Sequence, residues 1–495
     1  MVAKRVIPTA AVAIVVAGGA IVSASRQGPP PPSPQASKAV VMKGKAPVST
    51  ELLKITLPRP AEVDLPNGVH LMVLEDHRTP QIVFQIEVPG AGGYFDPADM
   101  PGLASITATM MREGTTTKST TQIAEQLERN AASVGAGAGL SSIDASVSGS
   151  SLTDNFDDTF ALAADVLLNP TFPDEELQRY KQRIRTQLIA QRTQAGFLAS
   201  EMFNRVLFGT HPASRVSLTA PVLDKVTRDM LVDFHKAHWV PDHAVIAMSG
   251  DITMAAARKA VEAKLAGWKK GTSAAPSADQ PPQPGEARIH FVARPNSVQT
   301  NFLVGAQSLV RTSPDYDVLS VMNEVLGGGP TGRLFTILRE EKGYTYGAYS
   351  GFSAFKVRGN WSANTQVRND VTEAAFKDLM AQIARMRDEP VPDKELEAKK
   401  RGMIASFALS LESPQAMLNN YMIRHLYGLP ADYWDKYPQR ISAITQAQVQ
   451  EAAKKYLDPP RLQIIAVGDP KLGEMFKKYG TVVTYDTEGK IVSGS

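Results

Sequence analysis

The chain of 495 residues contains no cysteine. That absence excludes disulfides, thiolate zinc sites, iron–sulfur clusters, a cysteine nucleophile and a lipidated N-terminal cysteine together. It also removes cysteine usage as a guide to the redox compartment. A surplus of charge of one sign is missing too: 53 Lys and Arg face 50 Asp and Glu. With no broad basic face, binding to nucleic acid or to an anionic surface is not expected. What remains is 43% hydrophobic and 21% charged, enough apolar side chain to exclude wholesale disorder. The length is too great for one core, so two or more domains are expected.

The N-terminus has its own character. Lys4 and Arg5 precede an apolar run from Val6 to Ala24, and Val22-Ser23-Ala24 offers small residues for cleavage. Residues 1–24 therefore read as a secretory signal, or as an uncleaved anchor, since the run is near the lower limit for a membrane span. Residues 25–45 follow as a stiff tether rich in proline (Gly28-Pro29-Pro30-Pro31-Pro32-Ser33-Pro34). The expectation is an exported, periplasmic or otherwise extracytoplasmic body.

That body reads as a duplication. Phe172-Pro173-Asp174-Glu175-Glu176-Leu177 is echoed by Val391-Pro392-Asp393-Lys394-Glu395-Leu396, and Val245-Ile246-Ala247-Met248-Ser249-Gly250-Asp251 by Ile464-Ile465-Ala466-Val467-Gly468-Asp469, at nearly one offset. Between the copies, 271–287 has linker composition (Pro, Ser, Gly, Ala) and should bury almost nothing. The expected domains are 46–270 and 288–495. Ile82 to Val88 alternates as a half-buried strand should. Ser119 or Thr120 can cap a helix with Ile123, Leu127 and Ala131 on one face. Pro173-Asp174 and Pro392-Asp393 look like first turns of long helices. Tyr346–Ala354 and Val357–Val367 suggest a hairpin. The expected fold is α+β: two tandem homologous domains, each an antiparallel-rich sheet with helices on one face, facing each other around a clam-like chamber.

Gly102-Leu103-Ala104-Ser105-Ile106-Thr107-Ala108-Thr109-Met110-Met111 resembles the active-site segment of the pitrilysin family of zinc peptidases, which includes insulin-degrading enzyme and the mitochondrial processing peptidase. There a Gly-Leu-Ala lead-in precedes His-x-x-Glu-His, two His one helical turn apart for zinc and a Glu to activate water. In this chain the three positions are Ser105, Ala108 and Thr109, none of which can do that work. The family's third ligand, a Glu further along, falls near Thr186-Gln187, and no acidic residue occurs from Leu177 through Ser200. The resemblance thus implies no metal and no cofactor in this chain. His235, His238 and His243 cluster in sequence without an intervening Glu and read as packing or surface residues.

The second half keeps the family's other signature. Leu326-Gly327-Gly328-Gly329-Pro330-Thr331-Gly332-Arg333-Leu334-Phe335, then Leu338-Arg339-Glu340-Glu341-Lys342-Gly343-Tyr344-Thr345-Tyr346, is similar to a glycine-rich turn, an Arg-Leu-Phe helix, and an Arg and Tyr seven residues apart. The glycines are not a phosphate loop, because no Gly-Lys-Ser/Thr follows. The resemblance implies that Arg339 and Tyr346 bind substrate and face the oxyanion of peptide hydrolysis. It also implies that Gly327, Gly328 and Gly329 line the substrate cavity, and that Gly137 and Ala138, within Ala132–Val147, belong to an edge strand to which a peptide adds. A zinc-dead half beside an intact Arg/Tyr pair implies the non-zinc subunit of a heterodimeric peptidase, with zinc in the partner and peptides as substrates. The alternative is an inactive peptide-binding or scaffolding homologue, like the core subunits of the respiratory bc1 complex.

Overall fold

Strict alternation along Gln81–Pro89 buries Ile82, Phe84, Ile86 and Val88 on one side and turns Val83, Gln85 and Glu87 to the other. Strands of this kind build the protein, a computed structural model of which describes residues 53–270 and 276–494. The leader, the tether and 271–275 lie outside the described residues.

Among the described residues thirteen strands form two sheets. The first half contributes β1 (Ala61–Asp64), β2 (His70–Glu75), β3 (Gln81–Pro89), β4 (Ser133–Ala138), β5 (Asp144–Leu152) and β6 (Val245–Gly250), in the order β1-β2-β6-β3-β5-β4. The second half contributes β7 (Ile289–Ala293), β8 (Gln299–Gln307), β9 (Thr345–Phe352), β10 (Asn360–Arg368), β11 (Gln463–Gly468), β12 (Val482–Tyr485) and β13 (Ile491–Gly494), in the order β13-β12-β7-β11-β8-β10-β9. β6 runs parallel to β2 and antiparallel to β3, and β11 runs parallel to β7 and antiparallel to β8. The repeated sequence segments are therefore the same elements twice, and the two-domain α+β architecture is the observed one.

The duplication extends to single hydrogen bonds. Asp174–Arg192 and Asp393–Ser410 are both helices entered through a proline at the cap position. Each buries a lysine whose ammonium donates to the carbonyl ending a neighbouring segment: Lys181 Nζ to Val226 O at 2.6 Å, and Lys400 Nζ to Ile444 O at 3.0 Å. Burial lowers the Lys181 pKa. Thr227 and Thr445, one residue after each carbonyl, cap the next helix. Elsewhere Ser119 is the cap, with a complete capping box to Gln122. That helix ends at Arg129, and Ala131 lies beyond it with φ 45°, so Ala131 is not on its apolar face.

Each sheet carries its own helices on one face. The other face takes one helix from the opposite half. Helix Ala195–Phe208 of the first half lays Leu198, Met202, Phe203 and Leu207 against Val292, Ile465 and Val467. Helix Pro414–Leu426 of the second lays Leu418, Tyr421 and Met422 against Met72, Val245 and Ala247. The facing sheets thus hold two exchanged helices between them.

The described linker does more than its composition suggested. Pro281 is buried. Tyr94 OH donates to Asp279 O at 2.9 Å, Gln307 Nε2 to Pro282 O at 2.6 Å, and Gln463 Nε2 to Gly285 O and Glu286 O at 3.1 Å. Beyond the burial of Pro281, its carbonyls are captured by donors from both halves.

The exchanged helices make a direct prediction. Phe203→Ala, deep in the Ala195–Phe208 contact, should cost about 3–5 kcal/mol in urea unfolding. A loss under about 1 kcal/mol would mean this contact contributes little.

Candidate functional site

The helix bearing the altered motif, Leu103–Met110, starts at Gly102, whose φ of 107° needs glycine. Asp96 fixes this start: its carboxylate accepts from Gly102 N at 2.5 Å and Ala104 N at 2.7 Å, with Arg215 Nη1 at 3.2 Å. Burial pushes the Asp96 carboxyl up, to about 6, against the two N–H donors and the guanidinium. The scaffold of the motif is thus intact. Its contents are inert. Ala108 is fully buried, Ser105 is half-buried, and the Thr109 hydroxyl donates back to Ser105 O at 2.8 Å. Thr186, on helix Asp174–Arg192, is exposed and bonds Gln182 O at 3.2 Å. Helix Leu103–Met110 packs beside β4, the free edge of the first sheet, and just after it Arg112 Nη1 donates to Val134 O at 3.1 Å.

His235 and His238 serve packing. His235 Nε2 bonds Leu167 O and His238 Nδ1 bonds Gly90 O, both at 2.8 Å. His238 stacks on Phe234 and His235 on Trp239. Burial keeps His235 below its ordinary pKa.

In the second half Arg339 and Tyr346 meet. Arg333–Phe335 continues into a π-helical turn, Thr336–Glu341, which carries Arg339 toward β9. Arg339 Nη1 donates to Tyr346 O at 2.6 Å, Nε lies 3.1 Å from Glu340 Oε1, and the guanidinium sits 5.0 Å from the Phe335 ring. Tyr346 is 88% exposed, and its hydroxyl makes no hydrogen bond among the described residues. Arg333 faces the other way, buried, with Nε and Nη2 on Glu395 at 2.9 and 2.7 Å.

The glycine turn is tighter than a flexible cavity lining. A Cβ on Gly327 would stand 2.5 Å from Ser350 N, and on Gly328 2.8 Å from Glu324 Cα; only Gly329 has open space. Gly327 O accepts from Ser350 N at 2.8 Å, tying the turn to β9. Among the described residues no hydrogen bond or ion pair joins this group to Ser105, Ala108 or Thr109.

Gly137 and Ala138 lie instead on a cavity of about 590 Å³ between the halves. Its walls are the tips of two hairpins, β4–β5 and β9–β10, with Glu87, Asp144, Lys356 and Tyr427 reaching it. Gln85 Nε2 donates to Glu87 Oε1 at 2.6 Å, and Lys356 Nζ is 3.7 Å from Asp144. Burial first, and then the like charge of Asp144, pushes Glu87 up to about 7. The Tyr427 phenol rises to about 12 for the same first reason.

Comparison with known proteins matches the family model described as insulinase, peptidase family M16, at residues 72–217, and the one described as the peptidase M16 inactive domain at residues 225–403. The chain belongs to peptidase family M16. Similar proteins include an uncharacterized zinc protease, YmxG, of Bacillus subtilis, 25% identical over 71% of this chain and 85% of that one. A non-peptidase homolog from Helicobacter pylori is 21% identical over 80% and 91%. The crystal structure of a peptidase M16 inactive domain from Pseudomonas fluorescens has a TM-score of 0.77 at 29% identity, covering 83% of this chain and 98% of that chain. A Helicobacter pylori protease shares the fold at a TM-score of 0.75 and 16% identity.

Within this M16 chain, the cavity carboxylates escaped sequence reading. In an alternating strand Gln85 and Glu87 look like a solvent face. Here that face meets the second half, a partner that alternation alone cannot reveal. Because the folded state holds the Glu87 proton more tightly than the unfolded chain, stability should fall as pH rises from about 4.5 to 7, by about 1–3 kcal/mol. Glu87→Gln should flatten that slope in urea midpoints measured from pH 4.5 to 8. An unchanged slope would show that Glu87 titrates normally.

Proposed function

We propose that this M16 chain is the non-zinc subunit of a heterodimeric metalloendopeptidase, contributing Arg339 and Tyr346 to peptide hydrolysis at a partner's zinc. The observation that carries this reading is the Arg339–Tyr346 pair. The guanidinium donates to the main-chain carbonyl of Tyr346 on the edge strand β9, the Tyr346 phenol is open to solvent, and no zinc-binding side chain stands at Ser105, Ala108 or Thr109. Such donors act on negative charge developing at a site outside this chain. The partner would be a zinc-bearing M16 subunit, and the substrates peptides entering a shared chamber. The leader places this assembly outside the cytoplasm under the same reading.

A second reading is an inactive peptide-binding homologue. Its support is β4, a sheet edge next to the emptied motif, with open space above Gly135 and Gly137. A peptide can add there through main-chain hydrogen bonds without chemistry.

Mixing with a zinc-bearing M16 subunit, such as one encoded in a neighbouring reading frame, should give peptide hydrolysis that neither chain shows alone. Arg339→Ala or Tyr346→Phe should lower turnover by about 10²–10³-fold in the intact complex. Arg333→Ala should instead cost about 2–4 kcal/mol of stability by stranding Glu395, with turnover of the folded complex nearly kept. Wild-type turnover in the Arg339 and Tyr346 variants would favour the binding homologue.

A further inference from the structure

Where the β1–β2 hairpin meets the end of the second exchanged helix, three side chains suited to a metal converge. They are Glu62 on β1, His70 on β2 and His425 on helix Pro414–Leu426, and one potential ligand atom of each lies within 4.8 Å of the others. Among the described residues no other such group of three occurs. The register places Asp64 opposite His70 and Glu62 opposite Met72, so these side chains share the face that receives the exchanged helix.

We propose that Glu62, His70 and His425 form a divalent transition-metal site of zinc type that ties the two halves together. Two imidazoles and a carboxylate are a donor set zinc accepts, with a fourth position left for water. His70 is held as a ligand is held: its Nδ1 lies 2.7 Å from Asp64 Oδ1, which leaves Nε2 directed at Glu62 Oε2, 3.3 Å away. A carboxylate behind the far ring nitrogen is the usual support of a metal-binding histidine. The 3.3 Å separation matches the edge of a tetrahedron with bonds of about 2.0–2.1 Å. His425 stacks on His70 with ring centroids 4.0 Å apart and planes 20° from parallel, so metal uptake requires its ring to turn and move inward. Glu62 keeps Oε2 for the ion while Oε1 accepts from Arg424.

This site is remote from the altered motif helix in the fold and stands whether or not the chain serves a peptidase. Glu62 and His70 already lie on paired strands of one hairpin, and helix exchange adds His425. The test uses the full chain, stripped by chelator, titrated with Zn²⁺ by calorimetry and with Co²⁺ by visible absorption. One ion per chain should bind with a Kd in the micromolar range or tighter, the cobalt form should show tetrahedral d–d bands, and zinc should raise the thermal midpoint. His70→Ala and His425→Ala should each abolish binding. Asp64→Asn, at a largely exposed side chain that folding tolerates, should weaken it about 10–100-fold. Thr109→Val should leave it unchanged. Failure to bind zinc, or equal binding after both histidine substitutions and Asp64→Asn, would overturn the proposal.

Discussion

Both sheets have two apolar faces, and neither half covers both of its own. On β6 every residue is buried: Ile246 and Met248 face the first half's own helices, while Val245 and Ala247 need helix Pro414–Leu426 from the second half. β11 repeats the arrangement, with Ala466 turned inward and Ile465 and Val467 turned to helix Ala195–Phe208. Apolar area left exposed on either sheet would cost about 25 cal/mol per Å². The exchange therefore fixes how the halves face each other. The cavity between the hairpin tips and the meeting of His70 with His425 both follow from that fixed relation.

Within this frame the altered motif shows how a site can lose its chemistry and keep its carpentry. Asp96, Gly102 and Arg215 still hold the start of helix Leu103–Met110, because their hydrogen bonds serve folding whatever the helix displays. At the altered positions, buried Ala108 and half-buried Ser105 and Thr109, no side chain carries a charge. The second half holds two arginines in contrasting settings. Arg333 is tied into the core through Glu395, whereas Arg339, six residues on, is carried by a π-helical turn to the free edge. Unusual turns of this kind recur at functional places because they re-aim one side chain without disturbing the helix around it.

The repeat, the paired Pro-Asp helix starts, β3 and the β9–β10 hairpin were legible in the residues, since each depends on local periodicity or on spacing within one element. Arg339 and Tyr346 were singled out by their resemblance to a family signature, and the bond from the guanidinium to the Tyr346 main chain was not part of that expectation. Legibility fails where the deciding partner is distant. Helix Ala195–Phe208 has an obvious apolar face, but nothing in it names the other half's sheet as its cover. Glu87 alternates like a solvent-facing residue and faces the second half instead. The resemblance cast Gly327 and Gly328 as cavity lining, while the close approach of Ser350 and Glu324 gives them a steric role. The linker composition correctly signals little side-chain burial yet hides the capture of its carbonyls by Tyr94, Gln307 and Gln463.

Helix exchange also changes what the linker is for. Since Ala195–Phe208 belongs to one half by sequence and to the other by packing, a chain cut between 271 and 287 would not come apart into two independent domains. Each fragment alone would carry a sheet with one bare apolar face and a helix with no sheet beneath it, the description of an aggregating species. Together they would complete each other. In the intact chain the linker therefore joins two halves whose packing already depends on each other.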